Sequence, residues 1–214
     1  MHISYQDFTN RDLRYAYRSP AGIWSMTTVD DSASRRGSNS SIGVDASGGV
    51  HITHFDLDSR YLRYAYRSPA GLWTASMVAP GGNSYTSLTL DAAGGVHVAY
   101  VAEPGIDLRY AYRTPSGAWT TTLVDALGNT GYYASLALDG AGGVHISYQD
   151  ISNWDLRYAY RSPAGAWTST LVDGTGDMGW YTSIAVDASQ IVHVVHWAGT
   201  GSDLRYARGR YCPP

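Results

Sequence analysis

The chain has one cysteine and no lysine in 214 residues, and only 15% of its residues are charged. A lone thiol, Cys212, excludes an internal disulfide framework. All 15 basic residues are arginine, as a GC-rich bacterial genome would favour, and the net charge is −3. That balance argues against a nucleic-acid or heparin-type ligand. No run of 18 apolar residues exists, so no transmembrane helix is expected. No stretch sustains a 3.6-residue apolar period, so almost no helix is expected either. A secretory signal is also missing, because Met1-His2-Ile3-Ser4-Tyr5 runs straight into a strand-like pattern. A start in mid-repeat leads to the expectation of a fragment of a longer bacterial protein, secreted or cell-surface, with a secretion signal that could have been lost; the compartment stays open.

What the chain does have is glycine (24 residues) and aromatics (13%), the composition of an ordered, tightly turned β protein. It is also repetitive. His2, His51, His97, His145 and His193 recur every 46 to 49 residues, and so do Arg14, Arg63, Arg109, Arg157 and Arg205. Each period contains four short runs rich in Val, Ile, Thr, Tyr and Trp, bounded by Gly, Pro, Ser and Asp. In the clearest copies these are strand a (181–187), strand b (192–196), strand c (156–161) and strand d (167–173). In strand c, Leu156, Tyr158 and Tyr160 alternate with Arg157, Ala159 and Arg161. Asp45-Ala46-Ser47-Gly48-Gly49 joins a to b, and Arg-Ser-Pro-Ala-Gly joins c to d. Both links are short enough for antiparallel hairpins.

Four strands in a period of this length is the blade of a β-propeller. The pattern Ser-Ile-Ala-Val-Asp followed by Gly-Gly-Val-His-Ile-Ser-Tyr resembles the first two strands of NHL-type and sialidase-like (BNR) propeller repeats. The resemblance covers nearly the whole chain and implies that strand a is innermost and strand d outermost. The sialidase Asp-box is absent, so sialidase activity does not carry over. The expected fold is a single all-β propeller domain, 1–214, of four-stranded antiparallel blades near 1–30, 38–79, 84–125, 132–173 and 180–208. The first blade lacks strand a and the last lacks strand d, so the chain reads bcd, three times abcd, then abc. Five blades with two incomplete is the favoured outcome; displacement of a redundant hairpin, or a homodimer in which two chains complete each other, are the others.

In an up-and-down blade the d–a and b–c loops emerge on one face. These loops vary between copies, while the a–b and c–d turns hardly change, so the variable face is the candidate functional face. Most recurrent residues read as structural. The five histidines fit strand residues hydrogen-bonded between blades. His54 and His196 stand in a tyrosine column with Tyr5, Tyr100 and Tyr148. The strand-c arginines fit pairing with Asp173-type or Asp155-type carboxylates. Asp45, Asp91, Asp139 and Asp187 fit turn caps better than calcium ligands. Trp24, Trp73, Trp119 and Trp167 fit packing between blades. Arg35 and Arg36 read as surface residues.

The loop aromatics stand apart. Tyr85, Tyr132, Tyr133, Trp154, Trp180, Tyr181 and Trp197 lie where strand a begins or in and beside the b–c loops. Flat aromatics beside Asn, Asp and Gln suit sugars, which offer an apolar CH face and hydroxyl edges. The alternative is that Tyr85, Tyr133 and Tyr181 plug the ring near its mouth. The expected function is therefore non-catalytic, lectin-like carbohydrate binding at shallow sites between blades. No motif requires a cofactor or a metal. A protein-interaction scaffold is the alternative, and a glycoside hydrolase or lyase a further one. An enzyme would need two converging carboxylates from Asp7, Asp56, Glu103, Asp150 and Asp177, and no spacing singles out a pair.

Overall fold

A computed structural model describes residues 1–31 and 35–210, the side chains of residues 83 and 84 excepted. Cys212 lies outside the described residues. No helix occurs among them. The first sheet is β1 (His2–Asp7), β2 (Asp12–Arg18) and β3 (Trp24–Asp30). The second is β4 (Ser38–Val44), β5 (Val50–Asp56), β6 (Tyr61–Arg67) and β7 (Trp73–Pro80), and the third is β8 (Gly82–Leu90), β9 (Val96–Ala102), β10 (Asp107–Arg113) and β11 (Trp119–Asp125). The fourth is β12 (Thr130–Leu138), β13 (Val144–Asp150), β14 (Asp155–Arg161) and β15 (Trp167–Asp173), and the fifth is β16 (Trp180–Val186), β17 (Ile191–Ala198) and β18 (Asp203–Arg210). Strands follow one another across every sheet, so each repeat makes one meander and the terminal sheets have three strands. The chain gathers into two compact units, Met1–Val98 with Tyr112–Thr120, and Ala99–Ala111 with Thr121–Pro214.

Strand b shows why these segments fold as they do. Every residue of β5 and of β13 is buried. That requires cover on both sheet faces, and it explains a nearly continuous apolar run instead of clean alternation. In the terminal sheet β17 alternates between buried and exposed residues, as expected for a strand with one open face.

In the first unit the sheets are joined edge-on by Tyr15 with Trp73 (5.2 Å between ring centroids) and Tyr64 with Trp119 (5.3 Å). In the second, Tyr110 meets Trp167 in the same way at 5.3 Å. Such pairs add about 0.5–1.5 kcal/mol each beyond the area they bury. Hydroxyl pairs repeat beside them, Ser4 with Ser40 (2.9 Å), Thr53 with Thr86 (2.9 Å) and Ser147 with Thr182 (2.8 Å).

The strand-c arginines pair with the strand-d aspartate of the preceding sheet: Arg63 with Asp30 (3.0 Å), Arg157 with Asp125 (3.3 Å) and Arg205 with Asp173 (3.0 Å). Arg36 corrects its reading as a surface residue. It is buried, 2.9 Å from Asp30 and 3.3 Å from Asp56, whereas Arg35 makes an exposed pair with Asp58. The three sites Asp30, Asp56 and Arg63 converge only after the sheets stack.

The recurrent histidine is also placed differently from expectation. It bonds within its own sheet, joining the a–b turn to strand c. His145 Nε2 lies 3.1 Å from Asp139 Oδ2, and its Nδ1 lies 2.6 Å from the Tyr158 hydroxyl. His51 repeats this with Asp45 and Tyr64, and His193 with Asp187 and Tyr206. The same aspartates cap their turns: Asp139 Oδ1 accepts from the amides of Ala141 and Gly143. Burial alone would raise the Asp45 carboxyl, but hydrogen bonds from Ser47, His51 and the Gly49 amide outweigh it and bring it down to about 2.

Candidate functional site

The b–c turns carry a feature that residue types conceal. The last turn residue is left-handed in every repeat: Arg11 (φ 63°), Arg60 (55°), Ile106 (52°), Trp154 (60°) and Ser202 (56°). None is glycine, so the turn is held by other means. Asp150 Oδ1 accepts from the amides of Ser152 and Asn153, its Oδ2 accepts from the Asn153 side chain, and Asp7 does the same in the first repeat. Strand a begins with a second left-handed residue beside a register shift, namely Asn39 (φ 47°), Tyr133 (51°) and Tyr181 (48°), with Tyr85 (54°) in β8. Trp154 and Tyr181 therefore occupy positions that the scaffold supplies in other repeats to Arg, Ile, Ser or Asn.

The d–a loop of residues 174–179 is bound on both sides. The Met178 amide donates to the Trp154 carbonyl (2.8 Å), and the Gly199 amide donates to the Asp177 carbonyl (2.7 Å). Gln149 Nε2 donates to the Met178 carbonyl at 2.7 Å, and the Gly179 amide donates to His196 Nδ1 at 3.1 Å. Gly179 is required here: its φ is +85°, and a Cβ would meet the Asp155 carbonyl oxygen and Leu156 Cα at 3.1 Å. His196 therefore anchors the loop, as His54 does at Gly37 (3.1 Å). Burial lowers the pKa of both histidines, which keeps the ring neutral and able to accept.

On this frame stands a run of five rings. Tyr132 lies 6.3 Å from Tyr133, which lies 4.4 Å from Tyr181 and 5.2 Å from Trp180. Trp180 stacks on Trp154 at 6.3 Å and 16°. Trp154 is 47% exposed and Tyr181 68%. The Trp180 indole N–H donates to Asp177 Oδ1 at 2.5 Å. Beside the tryptophans a shallow hollow of about 360 Å³ is lined by Asn153, Trp154, Gly174, Gly176 and Asp177. Asp155 lies against Gly174, and its carboxyl is raised by burial and then by the neighbouring Asp150 and Asp173 carboxylates. The hollow thus offers the Trp154 indole together with an amide and a carboxylate.

Two further expected members are Trp197 and Tyr85. Trp197 is the Cα partner of Trp180 across β16 and β17 and is 40% exposed, but no ring contact joins it to the cluster among the described residues. Tyr85 belongs to the first unit, whereas the five clustered rings belong to the second. Asn153, His196 and Gln149 were not singled out as site residues. The one signal for His196 was its break in the tyrosine column.

Among the described residues no group of three or more His, Cys, Asp or Glu is arranged to hold a metal. Three of the loop acids are engaged in turns: Asp7, Asp56 and Asp150 each accept amides of their own b–c turn. No helix is long and apolar enough to cross a membrane.

No protein-family model matches the chain, and no curated protein matches it in sequence. Solved structures do. The Aleuria aurantia lectin, in a complex with Fucα1-6GlcNAc, matches with a TM-score of 0.65 and 16% identity over 97% of this chain and 71% of the lectin. A leech intramolecular trans-sialidase matches with a TM-score of 0.61 and 14% identity over 93% of this chain and 36% of the enzyme. A streptogramin B lyase matches with a TM-score of 0.58 and 12% identity over the whole of this chain and 69% of the lyase. All three are propeller proteins, two of them enzymes and one a lectin, and at such identities the likeness speaks to architecture alone. The chain has the β-propeller fold, built from five sheets.

Proposed function

We propose that this chain binds carbohydrate without acting on it, at the hollow between the 150–154 turn and the 174–179 loop. The observation that carries this reading is the exposed Trp154 stacked on Trp180 beside Asn153 and Asp177. A pyranose would lay its CH face on an indole and donate hydroxyls to the Asp177 carboxylate and the Asn153 amide oxygen. The many loop hydrogen bonds hold these groups in place before binding, which limits the ordering cost. Trp154, Trp180 and Tyr181 are the first contacts, and Tyr133 with Tyr132 extends the shelf.

The three-ring combination of Trp154, Trp180 and Tyr181 occurs once. The matching positions hold Arg11, Ser38 and Asn39 at the first junction, Arg60, Ser84 and Tyr85 at the second, and Ile106, Tyr132 and Tyr133 at the third. Of the shallow sites expected between blades, this reading therefore makes one the principal site. The likeness to a sugar-binding lectin supports the ligand class. The commitment of Asp7, Asp56 and Asp150 to turns supports a non-catalytic role.

A glycan array with the purified chain tests the proposal. Selective binding is expected, and Trp154→Ala and Trp180→Ala should each weaken it at least tenfold with melting curves like the parent's. A blank array from the folded chain would discard the carbohydrate reading in favour of a protein-interaction scaffold. Turnover of a bound glycan would discard the non-catalytic part.

A further inference from the structure

The uncommitted oxygens around the candidate hollow are all hydrogen-bond acceptors. Asp177 Oδ1 is taken by the Trp180 indole N–H and by Gln149 Nε2 at 3.3 Å, while Oδ2 accepts no hydrogen bond among the described residues. Asn153 commits its amide N–H to Asp150 Oδ2 at 2.9 Å, which leaves its own Oδ1 to accept. Asp155 stands behind the glycine wall, since a Cβ on Gly174 would come within 2.8 Å of its Oδ1. No hydrogen bond reaches its carboxylate among the described residues, and burial, then the Asp150 and Asp173 carboxylates, raise its pKa. The cations in this region are already paired. Arg157 lies between Asp125 (3.3 Å) and Asp150 (3.9 Å), and Arg205 between Asp173 (3.0 Å) and the Thr175 hydroxyl (3.1 Å). Asp125, Asp150, Asp155, Asp173 and Asp177 thus outnumber two guanidiniums. The chain has no lysine, and no arginine is among the described residues that line the hollow.

We propose that the sugar held in this hollow carries a free, protonated amine, so that the ligand class is an amino-sugar oligomer of the glucosamine kind. This inference rests on the carbohydrate reading of the same hollow and adds which sugars it selects. A hydroxyl brings one donor to these oxygens, whereas an ammonium brings three together with a positive charge. Hydrogen bonds between charged partners are roughly twice as strong as neutral ones. The Trp154 ring, 47% exposed at the hollow, attracts a cation through its π face and packs against ring CH groups as well. N-acetylation removes the charge and two of the three donors. A uronic or sulfated sugar would set an anion against Asp177, where no guanidinium of the hollow meets it. Asp155 acts through its charge alone, over the roughly 8 Å that physiological salt leaves unscreened.

The test is calorimetric titration of the full chain at pH 5.5, where sugar amines carry a proton. The probes are a glucosamine tetramer, an N-acetylglucosamine tetramer, a galacturonic acid tetramer and tetralysine. The glucosamine tetramer should bind at least tenfold more tightly than each of the others. At pH 9, where the amine is neutral, its advantage over the N-acetylated tetramer should fall below threefold. Asp177→Asn keeps the shape, puts an amide N–H in place of a carboxylate oxygen, and should bring the advantage at pH 5.5 below threefold. Asp155→Asn relieves the repulsion from Asp150 and Asp173; it should lower the advantage at least twofold and melt no lower than the parent. Equal or tighter binding of the N-acetylated tetramer would overturn this inference and leave the carbohydrate reading standing. Equal binding of tetralysine would overturn it too, because charge without a sugar ring would then suffice. So would an advantage unchanged in Asp177→Asn. No binding of any tetramer would also overturn it, and a glycan array blank in the same buffer would remove the carbohydrate reading with it.

Discussion

Asp125 and Asp173 hold the same repeat position, pair with the same repeat arginine and lie in the same compact unit, yet they differ in burial. Asp125 has a side chain only 2% exposed, accepts the Tyr148 hydroxyl at 2.5 Å and faces Arg157, itself 16% exposed, at 3.3 Å. Asp173 is 21% exposed, and its partner Arg205 38%. Replacing either with asparagine keeps the shape and removes the charge. At Asp125 this leaves a mostly buried guanidinium whose remaining carboxylate partner is Asp150 at 3.9 Å, beside a long bond to Ser169 Oγ at 3.4 Å. Removing one partner of a buried pair costs about 3–5 kcal/mol, and the charged hydrogen bond to Tyr148 is weakened as well. At Asp173 water can solvate Arg205, so the loss should stay within about 1 kcal/mol. The expected difference is about 2–4 kcal/mol. With a urea dependence of about 1–3 kcal/mol per molar, the Asp125→Asn midpoint should fall below that of Asp173→Asn by about 1 M or more. Urea titrations of both variants, followed by tryptophan fluorescence, measure this. Midpoints that fall together would refute the argument that burial, and not the pairing itself, sets the cost.

The Asp45 carboxyl is held down to about 2, so its contribution is present above the ordinary carboxylate value near 4 and is lost as the pH falls through 2. Acid titration of stability should therefore show Asp45→Ala losing up to about 2 kcal/mol against the parent at pH 7, with the gap closing at pH 2. In the turn of the fourth repeat, Gly142 has φ +86° and open space, whereas a Cβ on Gly143 would run into Asp139 Oδ2 and meet the Tyr160 ring at 2.7 Å. Gly142→Ala should cost about 1 kcal/mol and Gly143→Ala at least about 2, read from thermal melts. Gly179→Ala should displace the 174–179 loop and weaken glycan binding at least tenfold. Trp197→Ala should change binding less than threefold, and a loss equal to that of Trp154→Ala would extend the site across β17.

The repeat made the strand order, the hairpins and the packing of Trp73, Trp119 and Trp167 legible, because a period of 46 to 49 residues and a strict alternation leave few other arrangements, whereas Trp24, expected to pack in the same way, is 43% exposed. Contacts that depend on how sheets stack were hidden. Arg36 stands beside Arg35 in a polar loop, and nothing local separates the one buried against Asp30 and Asp56 from the one exposed with Asp58. The recurrent histidine reads from sequence as bonded between blades, but its direction follows from strand register, which turns it to Tyr158 and Asp139 within its own sheet.

The candidate site shows the same division more sharply. Its aromatics were visible because they break the repeat, but the left-handed geometry at Trp154 and Tyr181 was not. Residue type is the usual signal for that conformation, and here Arg, Ile, Ser, Asn, Tyr and Trp all adopt it. The conformation recurs whatever the side chain, so the strain belongs to the blade and not to the site. A scaffold that forces these positions into one backbone geometry can change side chains there without changing the fold. The fourth and fifth repeats used that freedom to bring Trp154, Trp180 and Tyr181 together above a loop fixed by Gly179 and His196.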